Sequence, residues 1–262
     1  MSEPVAVRAG APLEDPIPEG RRLVDSATKM GLTLRLLGGV AVYLQSPPGG
    51  PLLPRPINDI DLVTKRGART AVTVMLLAAG YAPDQMFNAL HGSRRLLFYE
   101  KARGHKLDVF VGEFSMCHQV PIADRLEREA LTIPLAELLM TKLQVVELTE
   151  RDQRDIYNLV FHHDVDAGDV GSIEAGYLAD LCARDWGLWR TAKATIERCK
   201  ANLSDYSLEP ADAFLIVERL DILWARIEAA PKTARWRLRS RVRDRVRWYD
   251  EPEEQQGGGS KT

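Results

Sequence analysis

The chain has 262 residues with a net charge of -2; 45% of them are hydrophobic and 27% charged, the balance of an ordinary folded globular protein with room for one large domain or two small ones. Three cysteines without paired spacing (Cys117, Cys182, Cys199) argue against a secreted disulfide framework, and no apolar run reaches the ~18–20 residues of a membrane span. With no secretory signal pattern at the N-terminus, the expected location is cytoplasmic.

Residues 1–18 carry four prolines and few apolar residues and are expected to be disordered. Arg21 to Met30 is expected as a helix closed by Gly31, and Leu32 to Leu37 as the first strand. That strand meets Gly38-Gly39, then VAVYLQS, which suits two helical turns. The loop 46–56 holds five prolines and two glycines and lies where a substrate would approach. Asn58 to Thr64 is the second predicted strand, Ala68 to Ala79 a helix stopped by Gly80. Arg95 to Glu100 and Lys106 to Val111 form a predicted hairpin about the turn Ala102-Arg103-Gly104-His105. Ala130 to Ile133 is expected as a last short strand before Pro134.

Beyond Pro134 the pattern turns helical, over about 135–150, 152–164, 171–185, 187–202 and 210–229. The expected fold class is α+β, a mixed sheet with flanking helices over 19–134 followed by an all-α helical domain over 135–250, with a flexible tail at 251–262. The helices can equally form a cap packed on the first domain. Residues 231–249 hold Lys232 and seven arginines against Asp244, a net +7, which leaves -9 on the remainder. Arginine occupies every odd position from Arg235 to Arg247, a strand period. Leu238, Val242, Val246 and Tyr249 form a helical stripe, so helix is the expected state of Lys232 to Tyr249. Such a segment can be a solvated helix facing the acidic body, a partner-protein surface, or an RNA site with Trp236, Trp248 and Tyr249 stacking on bases.

The candidate chemistry lies between Leu34 and Lys65. Asp59 and Asp61 are one residue apart on a predicted strand, so alternation points them to one face. Magnesium takes hard oxygen ligands and needs few protein carboxylates when a phosphate shares it. Asp108, on a neighbouring strand with Lys106 and Phe110 on its face, can complete a second ion or accept a proton. Gly38 and Gly39 remove the Cβ that would keep a phosphate from the backbone. In the helix that follows, Lys142 falls inside the apolar stripe Leu135, Leu138, Leu139, Leu143 and Val146. An inward lysine is costly unless it is paired, used or able to snorkel. Asp152 suits an N-cap and Asp155 the first helical turn beyond it. Cys117-His118 and His162-His163 lack the spacing of zinc ligands.

Taken in order, GGVAVYL, RPINDIDLV and KLDVFV resemble the nucleotidyltransferase superfamily related to DNA polymerase beta, and within it the AbiEii-like bacterial nucleotidyltransferases, over about residues 34–164. The resemblance implies a nucleotidyltransferase-type sheet. It implies Gly38 and Gly39 at the triphosphate, and Asp59, Asp61 and Asp108 as ligands of Mg2+ or Mn2+. The run TK-L…RD-x-x-D-I adds Lys142 and Asp155 as further site residues. It also implies an NTP co-substrate, transfer of NMP to a hydroxyl or phosphate acceptor, and a toxin-like role on tRNA with an antitoxin partner. Small-molecule (antibiotic) acceptors share the layout, and a non-catalytic nucleotide- or RNA-binding module of the same fold is the other reading. Gly39 stands where many members have serine, and the proline-rich gap before Asp59 is long.

Overall fold

The computed structural model describes residues 11–100, 104–166 and 171–251. Helix α1 (Pro16–Lys29) starts earlier than the sequence predicts, inside the segment expected to be disordered. Asp15 caps it by accepting from Ile17 N–H, and Pro16 occupies a first-turn position that needs no donor. Leu23, Val24 and Ala27 bury its inner face.

Strand β1 (Leu34–Leu37) leads into the short helix α2 (Gly38–Leu44), and β2 (Asp59–Thr64) carries the two aspartates. Helix α3 (Arg69–Ala78) follows, then two elements that the sequence reading lacks, β3 (Tyr81–Pro83) and α4 (Gln85–His91). Asp84 caps α4 through Phe87 N–H. Strands β4 (Arg95–Glu100) and β5 (Lys106–Val111) have their predicted bounds and pair antiparallel. Of the turn between them, Ala102 and Arg103 lie outside the described residues.

The sheet order is β1-β2-β5-β4-β3, with β2 and β5 parallel and all other neighbours antiparallel. A small hairpin, β6 (Glu113–Ser115) and β7 (Gln119–Pro121), follows and was also unread in the sequence. The expected strand Ala130–Ile133 is a single parallel bridge from Thr132 to Leu36. Pro134 has no N–H and opens the next helix, so the ladder cannot continue.

Helix α5 (Leu135–Leu143) ends well short of the predicted Glu150. Gln144 turns inward to accept from His118 N–H at 2.7 Å, and Thr149 caps α6 (Glu150–His162). Asp152 is therefore not the cap; it is the third helical residue and completes a reciprocal capping box with Thr149. Helix α7 (Ala175–Arg184) begins later than predicted because Ile173 bridges to Val165. Helices α8 (Trp186–Asn202) and α9 (Pro210–Ala229) lie close to their expected bounds.

The arginine segment is helical only over α10 (Ala234–Ser240), with one 3-10 turn at Arg243–Arg245. Leu238, Val242 and Val246 are exposed, so the stripe has no core to bury in, and Arg243, beyond the end of α10, takes a left-handed φ of 49°. Trp248 docks on Trp186 instead, and its indole donates to Thr191 Oγ1 at 3.1 Å. One hydrophobic core runs from Leu36, Leu62 and Val109 of the sheet through Leu139 and Ile156 to Leu220 of α9. Among the described residues no helix is long and apolar enough to cross a membrane.

Candidate active site

Strand register builds the site. Leu37 pairs with Asp61 across β1 and β2, while Asp59 pairs with Lys106 and Asp61 with Asp108 across β2 and β5. Paired residues share a face and alternate residues return to it, so Asp59, Asp61, Lys106 and Asp108 form a four-cornered patch. The patch lies in a cavity of about 450 Å³ that Gly38, Arg95 and Lys142 also line.

Gly38 has a φ of 65° and lies against the Asp61 carboxylate, where a Cβ would collide with Oδ2. Both the left-handed backbone and the close approach require glycine here. Gly39 serves a different neighbour. Its missing Cβ makes room for the Arg55 guanidinium, and Gly39 does not line the cavity.

Asp108 is 1% exposed and held from two sides. Arg95 Nε donates to Oδ1 at 2.8 Å, and Lys106 Nζ lies 2.6 Å from Oδ2 as an ion pair without hydrogen-bond alignment. Arg95 is fixed between the Phe87 and Phe110 rings, 5.6 and 5.2 Å from their centroids. The Lys106–Asp108 face was visible from alternation, whereas the Arg95 pairing depends on hairpin register.

Lys142 reaches the cavity, but its charge is engaged, with Nζ 2.8 Å from Asp155 Oδ2 and 3.3 Å from Asp152 Oδ1. Arg55 forks the same Asp155 with two bonds of 2.7 Å. Asp155 is 2% exposed and lies behind the cavity as an anchor for both cations. The structure thus gathers Gly38, Asp59, Asp61, Asp108 and Lys142 at one cavity and places Gly39 and Asp155 just behind it. Arg95, Lys106 and Asp152 line the cavity and Arg55 stands behind it on Asp155; none of these four was assigned to the site from the sequence.

Burial first, then the charges of Asp59 and Asp108, push the Asp61 carboxyl from its ordinary 3.8 up to about 7. Burial alone would lower the Lys142 ammonium, but Asp155 and Asp152 outweigh it and raise it. Burial opposes ionisation of Asp155 too, and Lys142 and Arg55 still hold it below the usual range. The Asp61 effect fixes a sign. Between about pH 4 and pH 7 the folded chain keeps a proton on Asp61 that the unfolded chain has lost. The contribution of Asp61 to stability therefore falls as pH rises through that window. Thermal melts without metal at pH 5 and pH 8 should show this loss in the unaltered chain and a flatter profile in Asp61→Asn.

No three His, Cys, Asp or Glu side chains among the described residues converge as a ready-made metal cage. Asp59 and Asp61 nevertheless have no ion-pair partner among the described residues, unlike Asp108. Magnesium needs only one or two carboxylates when waters and phosphate oxygens complete its shell. The Asp59/Asp61 pair meets that requirement, and Asp108 adds no free third carboxylate.

No protein-family model matches the chain, and no curated protein does. Among solved structures it is similar to an antigenic nucleotidyltransferase-like protein from Paracoccidioides brasiliensis, at 13% identity and a TM-score of 0.39, over 86% of this chain and 97% of that one. That likeness is too distant to decide either fold family or activity.

Proposed function

We propose that the chain is a metal-dependent nucleotidyltransferase of the DNA polymerase beta-like type, similar to AbiEii-like enzymes. The observation that carries this reading is the Asp59/Asp61 pair, without ion-pair partners among the described residues, set against Gly38 at the floor of a cavity edged by Arg95, Lys106 and Lys142. Asp59 and Asp61 would hold Mg2+, which supplies charge neutralisation at the phosphates of an NTP. Gly38 lets the turn after β1 pack directly on the Asp61 carboxylate, so the turn puts no side chain of its own beside the proposed cation site. Lys106 and Arg95 present positive charge to its oxygens from the sheet. Fixed charges of this kind need no reorganisation as an acceptor oxygen bonds to the α-phosphorus and pyrophosphate departs.

RNA is the first acceptor reading, in a toxin-like role with a possible antitoxin partner. It is supported by Arg235, Arg237, Arg241, Arg243, Arg245 and Arg247, all exposed on one segment. Trp236 and Trp248 pack on Trp189 and Trp186, so the segment would act through phosphate contacts more than base stacking. A small cationic acceptor, such as an aminoglycoside-type antibiotic, is the second reading. Asp250 and Glu251 support it, because they wall a cavity of about 300 Å³ that shares Arg95, Phe110 and Met116 with the first.

Equilibrium binding of each NTP with and without Mg2+ tests the proposal. Binding of at least one NTP that tightens tenfold or more with Mg2+ is expected. Failure to bind any NTP in either condition would overturn it.

A further inference from the structure

The third carboxylate of the patch differs from the other two. Asp59 and Asp61 face the cavity without an ion-pair partner among the described residues, while Asp108 is clamped by Arg95 and Lys106. The clamp is built into the sheet. Lys106 and Asp108 are alternate residues of β5, opposite Asp59 and Asp61 in register, and Arg95 reaches Asp108 from β4. Arg95 is 7% exposed and wedged between two aromatic rings, so it has nowhere to swing. Lys106, which lines the cavity, is more open, with 26% of its side chain exposed.

The charges divide accordingly. Asp59 and Asp61 together carry the charge that one divalent ion neutralises. Arg95, Lys106 and Asp108 together carry a net positive charge already. A second divalent ion at Asp108 would have to displace a cation 2.6 or 2.8 Å away and would gain no free carboxylate.

We propose that Arg95 and Lys106, pinned by Asp108, serve in place of a second metal ion. The chain takes up a single divalent cation on Asp59 and Asp61, and the two side chains meet the nucleotide's phosphate oxygens directly. Asp108 is then a positioning residue for these cations and not a metal ligand. This rests on the nucleotidyltransferase reading above. Guanidinium and ammonium groups suit the role, since both form charge-assisted bonds to phosphate, and neither departs when metal is withdrawn.

The test counts ions. The full chain is titrated with Mn2+ in the presence of a non-hydrolysable NTP analogue, and bound Mn2+ is read by electron paramagnetic resonance. One Mn2+ per chain is expected. Lys106→Met, at a partly exposed strand end, should weaken the analogue about tenfold and admit a second, weaker Mn2+ at Asp108. Two Mn2+ per unaltered chain would overturn the inference and leave the nucleotidyltransferase reading standing. Unchanged ion count and unchanged analogue affinity in Lys106→Met would also overturn it. No bound Mn2+ and no bound analogue would overturn both.

Discussion

Asp61→Asn is expected to lose nucleotidyl transfer by a factor on the order of 10³ or more while melting at a higher temperature than the unaltered chain without metal. The two effects share a cause. Asp61 sits on the floor of the cavity beside Asp59 and Asp108, and its carboxyl is pushed up to about 7 by burial and by those two charges. Ionised, it would be one half of the proposed cation site; in the folded chain without metal, it is a repelled charge. Asparagine keeps the shape and removes the charge. The loss of activity is of the size seen when a preorganised electrostatic group is deleted from a reaction centre. The gain in stability should be about 1–2 kcal/mol at pH 8, discounted because the side chain borders an open cavity. For a chain of this size that is a rise of roughly 2–8 °C. A variant that merely unfolds would lose both properties, so the opposite signs are the diagnostic. Retention of activity within threefold would remove Asp61 from the site.

Asp155→Ala carries the largest expected cost in stability. Asp155 is 2% exposed and receives Arg55 through two bonds of 2.7 Å and Lys142 through one contact of 2.8 Å. Removing it leaves two cations with their shared counter-charge gone, which typically costs about 3–5 kcal/mol. The melting temperature should fall by roughly 6–20 °C. The contrast is Asp152→Ala. Asp152 is half-buried, lies 3.3 Å from Lys142 and belongs to the capping box, so its loss should cost about 1 kcal/mol. Equal costs for the two variants would show that Arg55 and Lys142 do not depend on Asp155. The pair also explains why the proline-rich loop has a defined position. Arg55 spans from that loop to α6 across Gly39, and Asn158 holds Leu53 on both its N–H and its C=O.

Some of this was legible in the sequence because it is local. Alternation alone places Asp59 with Asp61 and Lys106 with Asp108, and a 100° period alone turns Lys142 inward. The bounds of β4 and β5 follow from the same signal. What the sequence hides is pairing over distance. Arg95 meets Asp108 only once the hairpin register is set, and Arg55 meets Asp155 across 100 positions. Gly39 looked like part of an anion-binding turn, and its reason is the guanidinium behind it. Thr149 was overlooked because an aspartate three residues later had the composition of a cap. The arginine segment carried a strand period and a helical stripe at once. Packing chose neither for its full length, because its apolar residues found no core and Trp248 did.

The activity proposed for the Asp59/Asp61 cavity is transfer of a nucleoside monophosphate. It is read by incubating the chain and Mg2+ with the bound NTP labelled at the α-phosphate or at the γ-phosphate, and with RNA or an aminoglycoside as the acceptor. Acceptor labelling is expected from the α position only, lost on chelation of Mg2+ and in Asp61→Asn. Labelling from the γ position, or α labelling that survives Asp61→Asn, would contradict it.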